Sequence, residues 1–320
     1  MNLSGVLTPI PTPFDERGEV DLGRLKAALS RWLTTPLAGF VVLGSNGEAV
    51  FLDEDESDRV VAAARDLVPP GRPFIVGTGR ESTRATIAAT SRAASLGADA
   101  VLVRTPGFFK AQMTAGAFVQ HYTAVADASP VPVLLYNFTA VSGVTLPVEA
   151  VSRLATHSNI VGMKESNADT FRIAELVAAT PSEFKLMAGS ASTFAEALRT
   201  GVAGGILAVA SVVPEACVRL FELTKAGRLD DDPGDAARAL QLQLVTLGKL
   251  VGSTYGVPGL KAALKLAGYD VGWPRAPLVP LDGAALSELA DALSPFDVGR
   301  TPDPTDILPF PHRAHGHAAS

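Results

Sequence analysis

The chain is poor in cysteine: Cys217 is the only one in 320 residues. No disulfide can close within it, and a reducing cytoplasm is the expected compartment. Cys217 stands in a helical pattern, Pro214-Glu215-Ala216-Cys217-Val218-Arg219-Leu220, and reads as a small core residue. Basic charge is scarce too. There are 27 Lys and Arg against 33 Asp and Glu, for a net charge of −6. No basic cluster occurs, which argues against nucleic acid as a partner. No apolar run reaches the roughly 18 residues of a membrane span, and no charged-then-apolar leader opens the chain. A nucleotide loop is missing as well, since Gly77-Thr78-Gly79-Arg80 is short and lacks the Gly-Lys-Ser/Thr ending. His312, His315 and His317 have no carboxylate or cysteine pattern beside them, so no functional metal site is expected.

What is present is apolar substance, 47% of the residues, in regular alternation. Short apolar runs read as strands at Gly5–Thr8, Gly39–Leu43, Pro73–Val76, Ala100–Val103, Val131–Tyr136, Ile160–Lys164, Phe184–Ala188 and Gly204–Val209. Helical patterns follow near Asp21, Asp53, Ser82, Thr114, Pro147, Asp169, Ser192 and Pro214, with helix-start residues in place. Eight such units over residues 1–225 fit a closed (β/α)₈ barrel, where a doubly wound sheet has no use for eight regular repeats. Residues 226–298 read as a C-terminal helical region, with patterns over Ala236–Val251, Gly259–Ala267 and Gly283–Leu293. Residues 299–320 have too little apolar periodicity to pack and read as a flexible tail.

A barrel carries its chemistry at the C-terminal ends of its strands. That rule separates the lysines. Lys164 ends the run Ile160-Val161-Gly162-Met163-Lys164, whereas Lys185 begins the next one and belongs to the stability face. The other lysines fall on helices or loops. Desolvation at a strand end disfavours a charged amine, and a neutral amine can attack a carbonyl to form a Schiff base. The plainer reading of Lys164 is a snorkelling lysine, or one salt-bridged to Glu165. Tyr136 ends another apolar run and can supply a proton. Gly44-Ser45-Asn46-Gly47-Glu48 follows the second strand. Its glycines allow a tight turn with exposed N–H groups that, with the Ser45 hydroxyl, can hold a small carboxylate. An ordinary polar-capped turn is the plainer reading there too.

Taken in order, GSNGE at 44–48, LLYN at 134–137, IVGMKES at 160–166, AGS at 188–190 and GGILAVAS at 204–211 resemble the dihydrodipicolinate synthase and N-acetylneuraminate lyase family of class I pyruvate aldolases. The resemblance covers roughly residues 3–296. Within that family, GFVVLGSNGE at 39–48, LPVEAV at 146–151, YGVPGLK at 255–261 and RAPL at 275–278 are most similar to 4-hydroxy-2-oxoglutarate aldolases. The resemblance implies that Lys164 forms the Schiff base with pyruvate and that Tyr136 shuttles protons. It implies that Ser45 and Asn46 hold the pyruvate carboxylate, that Ser45 orients Tyr136, and that Gly189 and Ile206 line the site. Ser166 and the Asn46 side chain are candidates for a second carboxylate. No metal or dissociable cofactor is implied, because the imine is itself the electron sink.

The chain departs from the family pattern twice. Val141 stands where the synthases resembling it carry an arginine for the aldehyde's carboxylate, and Phe108 stands where a tyrosine often reaches into a neighbouring subunit. The expectation is therefore a lyase releasing pyruvate from a 4-hydroxy-2-oxoglutarate-type acid. A dihydrodipicolinate synthase or a sugar-acid aldolase is the runner-up, and a degenerate barrel that binds 2-oxo acids without turnover is the non-enzymatic alternative. The resemblance also implies a homotetramer built from dimers.

Overall fold

The computed structural model describes residues 3–227, 236–296 and 298. Eight parallel strands close into a barrel in sequence order. They are β1 (Gly5–Pro9), β2 (Gly39–Val42), β3 (Phe74–Gly77), β4 (Ala100–Arg104), β5 (Val133–Asn137), β6 (Ile160–Glu165), β7 (Lys185–Ala188) and β8 (Gly204–Ile206). The barrel closes where β8 pairs back on β1, Leu7 opposite Ile206.

Helices pack around it: α1 (Leu22–Trp32), α2 (Glu54–Arg65), α3 (Thr83–Ser95), α4 (Ala115–Ala128), a single turn α5 (Thr139–Ser142), α6 (Val148–Leu154), α7 (Thr170–Ala179), α8 (Phe194–Thr200) and α9 (Pro214–Lys225). Their starts are fixed chemically. Asp21, Ser82, Thr114 and Asp169 each accept the N–H three residues on, and Asp53 forms a reciprocal pair with Glu56. Each such cap stabilises its helix by about 1 kcal/mol and so punctuates the repeat. The C-terminal extension is α10 (Ala236–Lys249), α11 (Gly256–Leu266) and α12 (Gly283–Leu293). The chain is thus a (β/α)₈ barrel with a helical extension.

Strand alternation sorts the core into two shells. Leu7, Val41, Ile75, Leu102, Leu134, Met187 and Ile206 fill the lumen. Val6, Val42, Val101, Val103, Leu135 and Met163 face the helices. This parity decides the site. Tyr136 lies two residues beyond Leu134 and therefore points inward, and Lys164, next to outward Met163, does the same.

The strand expected over Gly204–Val209 ends at Ile206, and Ala208–Ser211 winds into a 3₁₀ turn instead. Leu207, Val209 and Ala210 join the outer core, and an apolar run alone does not distinguish that packing from a strand. Cys217 is fully buried in α9, where burial pushes its thiol pKa up. The 299–320 tail and its three histidines lie outside the described residues.

Candidate active site

β5 and β6 pair with Tyr136 opposite Lys164. The two side chains meet inside the C-terminal mouth of the barrel, with Lys164 Nζ 4.6 Å from the centre of the Tyr136 ring. Both are 4% exposed. The Tyr136 hydroxyl lies 3.0 Å from Ser45 Oγ, and either oxygen can donate. Phe138 stacks with the tyrosine ring at 6.1 Å. An amine from β6, a phenol from β5 and a serine hydroxyl from the turn after β2 are therefore brought together.

Ser45 is placed by a 3₁₀ turn, Ser45–Gly47, directly after β2. Gly47 N–H bonds back to Gly44 O and Glu48 N–H to Ser45 O. The first N–H groups of such a turn have no partner inside it, and here they belong to Ser45 and Asn46. Asn46 is half-buried. Leu43, before the turn, is left-handed at φ 55°. Its carbonyl presses on Gly77, where a Cβ would come within 2.0 Å of it. The glycine of the Gly77-Thr78-Gly79-Arg80 run is thus explained by this close approach.

Ser166 and Gly189 face each other after β6 and β7. A Cβ on Gly189 would fall 2.1 Å from Ser166 Oγ, so only glycine leaves room for that hydroxyl. Gly189 N–H donates to Glu165 O at 2.7 Å. Ile206 is fully buried in the same inner cluster as Tyr136. Ser45, Tyr136, Lys164 and Ile206 thus share the lumen mouth, Asn46 lies on its Ser45 turn, and Ser166 with Gly189 closes the β6–β7 side.

A Lys164–Glu165 salt bridge does not form. Neighbouring residues on a strand point to opposite faces, and Glu165 points outward, 1% exposed. It accepts both bonds from Asn137 Nδ2, one from Arg172 Nε at 2.8 Å and one from Asn167 N–H at 2.9 Å. This buried knot ties the loops after β5 and β6 together and leaves Lys164 without a carboxylate partner from its own strand. Periodicity gave no sign of it.

The loop after β4 also departs from a simple rim. Glu81 accepts the N–H groups of Gly107 and Phe108, and it pairs with Arg104 at 2.7 Å. Burial alone would raise the Glu81 pKa, but those donors and the guanidinium hold it below the usual carboxylate value. The result fixes a loop whose tip, Phe108 and Phe109, is 78% and 68% exposed. Val141, on α5, is 65% exposed and offers no charge. Among the described residues, no group of three or more His, Cys, Asp or Glu is placed to hold a metal, and no helix is long and apolar enough to cross a membrane.

The model of the dihydrodipicolinate synthetase family matches residues 2–295. A relative from Exiguobacterium sp., named 4-hydroxy-tetrahydrodipicolinate synthase, is 34% identical over 92% of this chain and 98% of its own length. One from Emericella nidulans, named "Probable 4-hydroxy-2-oxoglutarate aldolase, mitochondrial", is 36% identical over 91% of this chain and 94% of its own. The solved chloride-inhibited dihydrodipicolinate synthase from Acinetobacter baumannii, complexed with pyruvate, superposes with a TM-score of 0.85 at 29% identity. That match spans 92% of this chain and 98% of the other.

Proposed function

The chain belongs to the dihydrodipicolinate synthetase family and is a carbon–carbon lyase of the lysine Schiff-base type; from that premise we propose that Lys164 is the Schiff-base lysine and pyruvate its keto partner. One observation carries the assignment: a buried amine at a strand end, 4.6 Å from a tyrosine ring whose hydroxyl is 3.0 Å from Ser45. The Lys164 amine adds to the pyruvate carbonyl, and loss of water leaves a protonated imine. In condensation, a proton leaves the methyl carbon and the resulting enamine attacks an aldehyde. In cleavage the imine forms on the longer 2-oxo acid instead: the hydroxyl on the departing carbon loses its proton, the carbon–carbon bond breaks with its electrons passing to the imine nitrogen, the aldehyde departs, and protonation of the enamine and addition of water free pyruvate and Lys164. Tyr136 carries protons in both directions, with Ser45 setting its hydroxyl. The Ser45 and Asn46 N–H groups and the Ser45 hydroxyl receive the pyruvate carboxylate. Gly189 and Ile206 form the walls, and Ser166 with the Asn46 side chain faces a second carboxylate.

For the aldehyde, the comparisons back the runner-up of the sequence reading better than its first choice. The names of the relatives and solved structures weigh toward 4-hydroxy-tetrahydrodipicolinate synthase, with 4-hydroxy-2-oxoglutarate aldolase behind it. We therefore put condensation of pyruvate with aspartate semialdehyde first. The second reading, release of pyruvate from 4-hydroxy-2-oxoglutarate, has a specific observation in its favour. Val141 offers no cation for an aldehyde's carboxylate, and Phe108 has no hydroxyl to relay a proton. Measuring kcat/KM for both reactions on one preparation decides. The first reading predicts the faster condensation, and a faster cleavage installs the second.

A further inference from the structure

Two sequence runs take no part in the chemistry above, Tyr255–Lys261 and Arg275–Leu278. Both converge on the turn that carries Ser45 and Asn46. Glu48 ends that turn in a left-handed conformation, φ 54°, which is unfavourable for a residue with a side chain. Its carboxylate is buried beneath the turn, and so is the ammonium of Lys261 from α11, each residue being 2% exposed. Lys261 Nζ lies 2.7 Å from Glu48 Oε1. The amine aims hydrogen bonds at Thr12 O (2.7 Å) and Trp273 O (2.6 Å). Oε1 thus faces the ammonium as its ion-pair partner. The other oxygen, Oε2, accepts the Arg275 N–H at 2.8 Å.

The same ammonium reaches the turn by a second route. Thr12, whose carbonyl it holds, donates its hydroxyl to Gly47 O at 2.6 Å. Arg275 adds an outer brace, donating to Phe51 O and Gly18 O and pairing with Glu56. One cation on the C-terminal extension therefore holds the end of the turn twice, at Glu48 directly and at Gly47 through Thr12. Buried ion pairs are poor stabilisers, because desolvation offsets their attraction. What they can supply is a unique geometry. Burial pulls the Lys261 pKa down to about 8 against the pull of Glu48.

We propose that the Glu48–Lys261 pair is a positioning device for pyruvate, which holds the Ser45–Asn46 turn in the orientation that receives the carboxylate. This rests on the reading of that turn as the carboxylate site. Neither residue touches Lys164, which stands on the far side of the mouth on β6, so the pair governs capture more than the chemical step. The nearly isosteric Glu48→Gln is the decisive variant. The pyruvate concentration that half-saturates borohydride trapping should rise on the order of tenfold or more, since small misplacements of a binding group are costly. Turnover at saturating pyruvate should fall by a smaller factor than half-saturation rises, since Ser45 on the same turn also sets the Tyr136 hydroxyl. Lys261→Met should shift half-saturation in the same direction, and Lys261→Arg, which keeps the charge, should recover most of it. If Lys261→Met fails to fold, Glu48→Gln decides alone. A folded Glu48→Gln protein with wild-type half-saturation, or with turnover lost at unchanged half-saturation, overturns the proposal. A wild-type protein that traps no pyruvate at all refutes the Schiff-base reading itself, and this inference with it.

Discussion

Replacing Tyr136 by phenylalanine removes one oxygen from the mouth of the barrel and leaves the rest of the site standing. The ring keeps its place beside Lys164 Nζ, 4.6 Å from its centre, and its stack with Phe138. What disappears is the hydroxyl 3.0 Å from Ser45 Oγ. The fold loses little by this. A single hydrogen bond contributes about 1 kcal/mol net, and Ser45 is only half-buried, so water can replace the lost partner. The chemistry loses much more. Positioned proton transfer contributes about 10²–10⁴ in rate, equivalent to roughly 3–5 kcal/mol of barrier. Tyr136→Phe should therefore cut kcat by that factor while half-saturation by pyruvate and the thermal midpoint barely move. The assay follows formation of the condensation product from aspartate semialdehyde over a range of pyruvate concentrations, with a thermal melt on the same preparation. A kcat within about twofold of wild type would refute the role. An equal collapse of the melting midpoint would mean that the hydroxyl is structural.

Val141→Arg should raise the efficiency of condensation with aspartate semialdehyde by roughly 10- to 150-fold, the value of about 1.5–3 kcal/mol for a charge-assisted bond; no gain would mean that this loop position does not limit the reaction. The exposed pair Phe108 and Phe109 should be covered by a second copy of the chain, so light scattering should report an oligomer, with a tetramer expected, and a monomer at micromolar concentration counts against it. The Glu56 carboxyl is held below its ordinary 4.5, chiefly by the Arg275 hydrogen bond. A depressed carboxyl contributes stability that is complete above its unfolded value and is lost as pH falls through the folded one. Arg275→Gln should accordingly destabilise the protein at pH 7 more than at pH 3, and an equal loss at both, read by denaturant titration, would remove that linkage.

The barrel was legible because its strands are short apolar runs and its helices start on Asp, Ser and Thr caps that recur at even spacing. The meeting of Lys164 and Tyr136 at the barrel mouth was legible because both end strands, and alternation turns both inward. The Ser45–Tyr136 contact was implied only by resemblance, since no local pattern reports a meeting across 91 residues. Three things were hidden. Glu165 looked like a partner for Lys164, yet it faces the other way and closes a knot with Asn137 and Arg172. Lys261 reads from sequence only as one of the lysines on helices or loops. Its position four residues after Val257 and three before Leu264 puts it on an apolar stripe, which was a signal, but its partner Glu48 lies in a distant turn. The end of β8 was hidden for a different reason, because a buried 3₁₀ turn and a buried strand are equally apolar.

The central claim is covalent, so the most direct test is also covalent. Wild-type protein and Lys164→Ala are each incubated with pyruvate, reduced with borohydride, weighed intact and then mapped by peptide mass spectrometry. The expected result is one reduced pyruvate per wild-type chain, attached at Lys164 on the peptide that continues into Glu165 and Ser166, and none on the variant. An adduct on Lys185, at the opposite end of its strand, or no adduct on the wild type at saturating pyruvate, would contradict it.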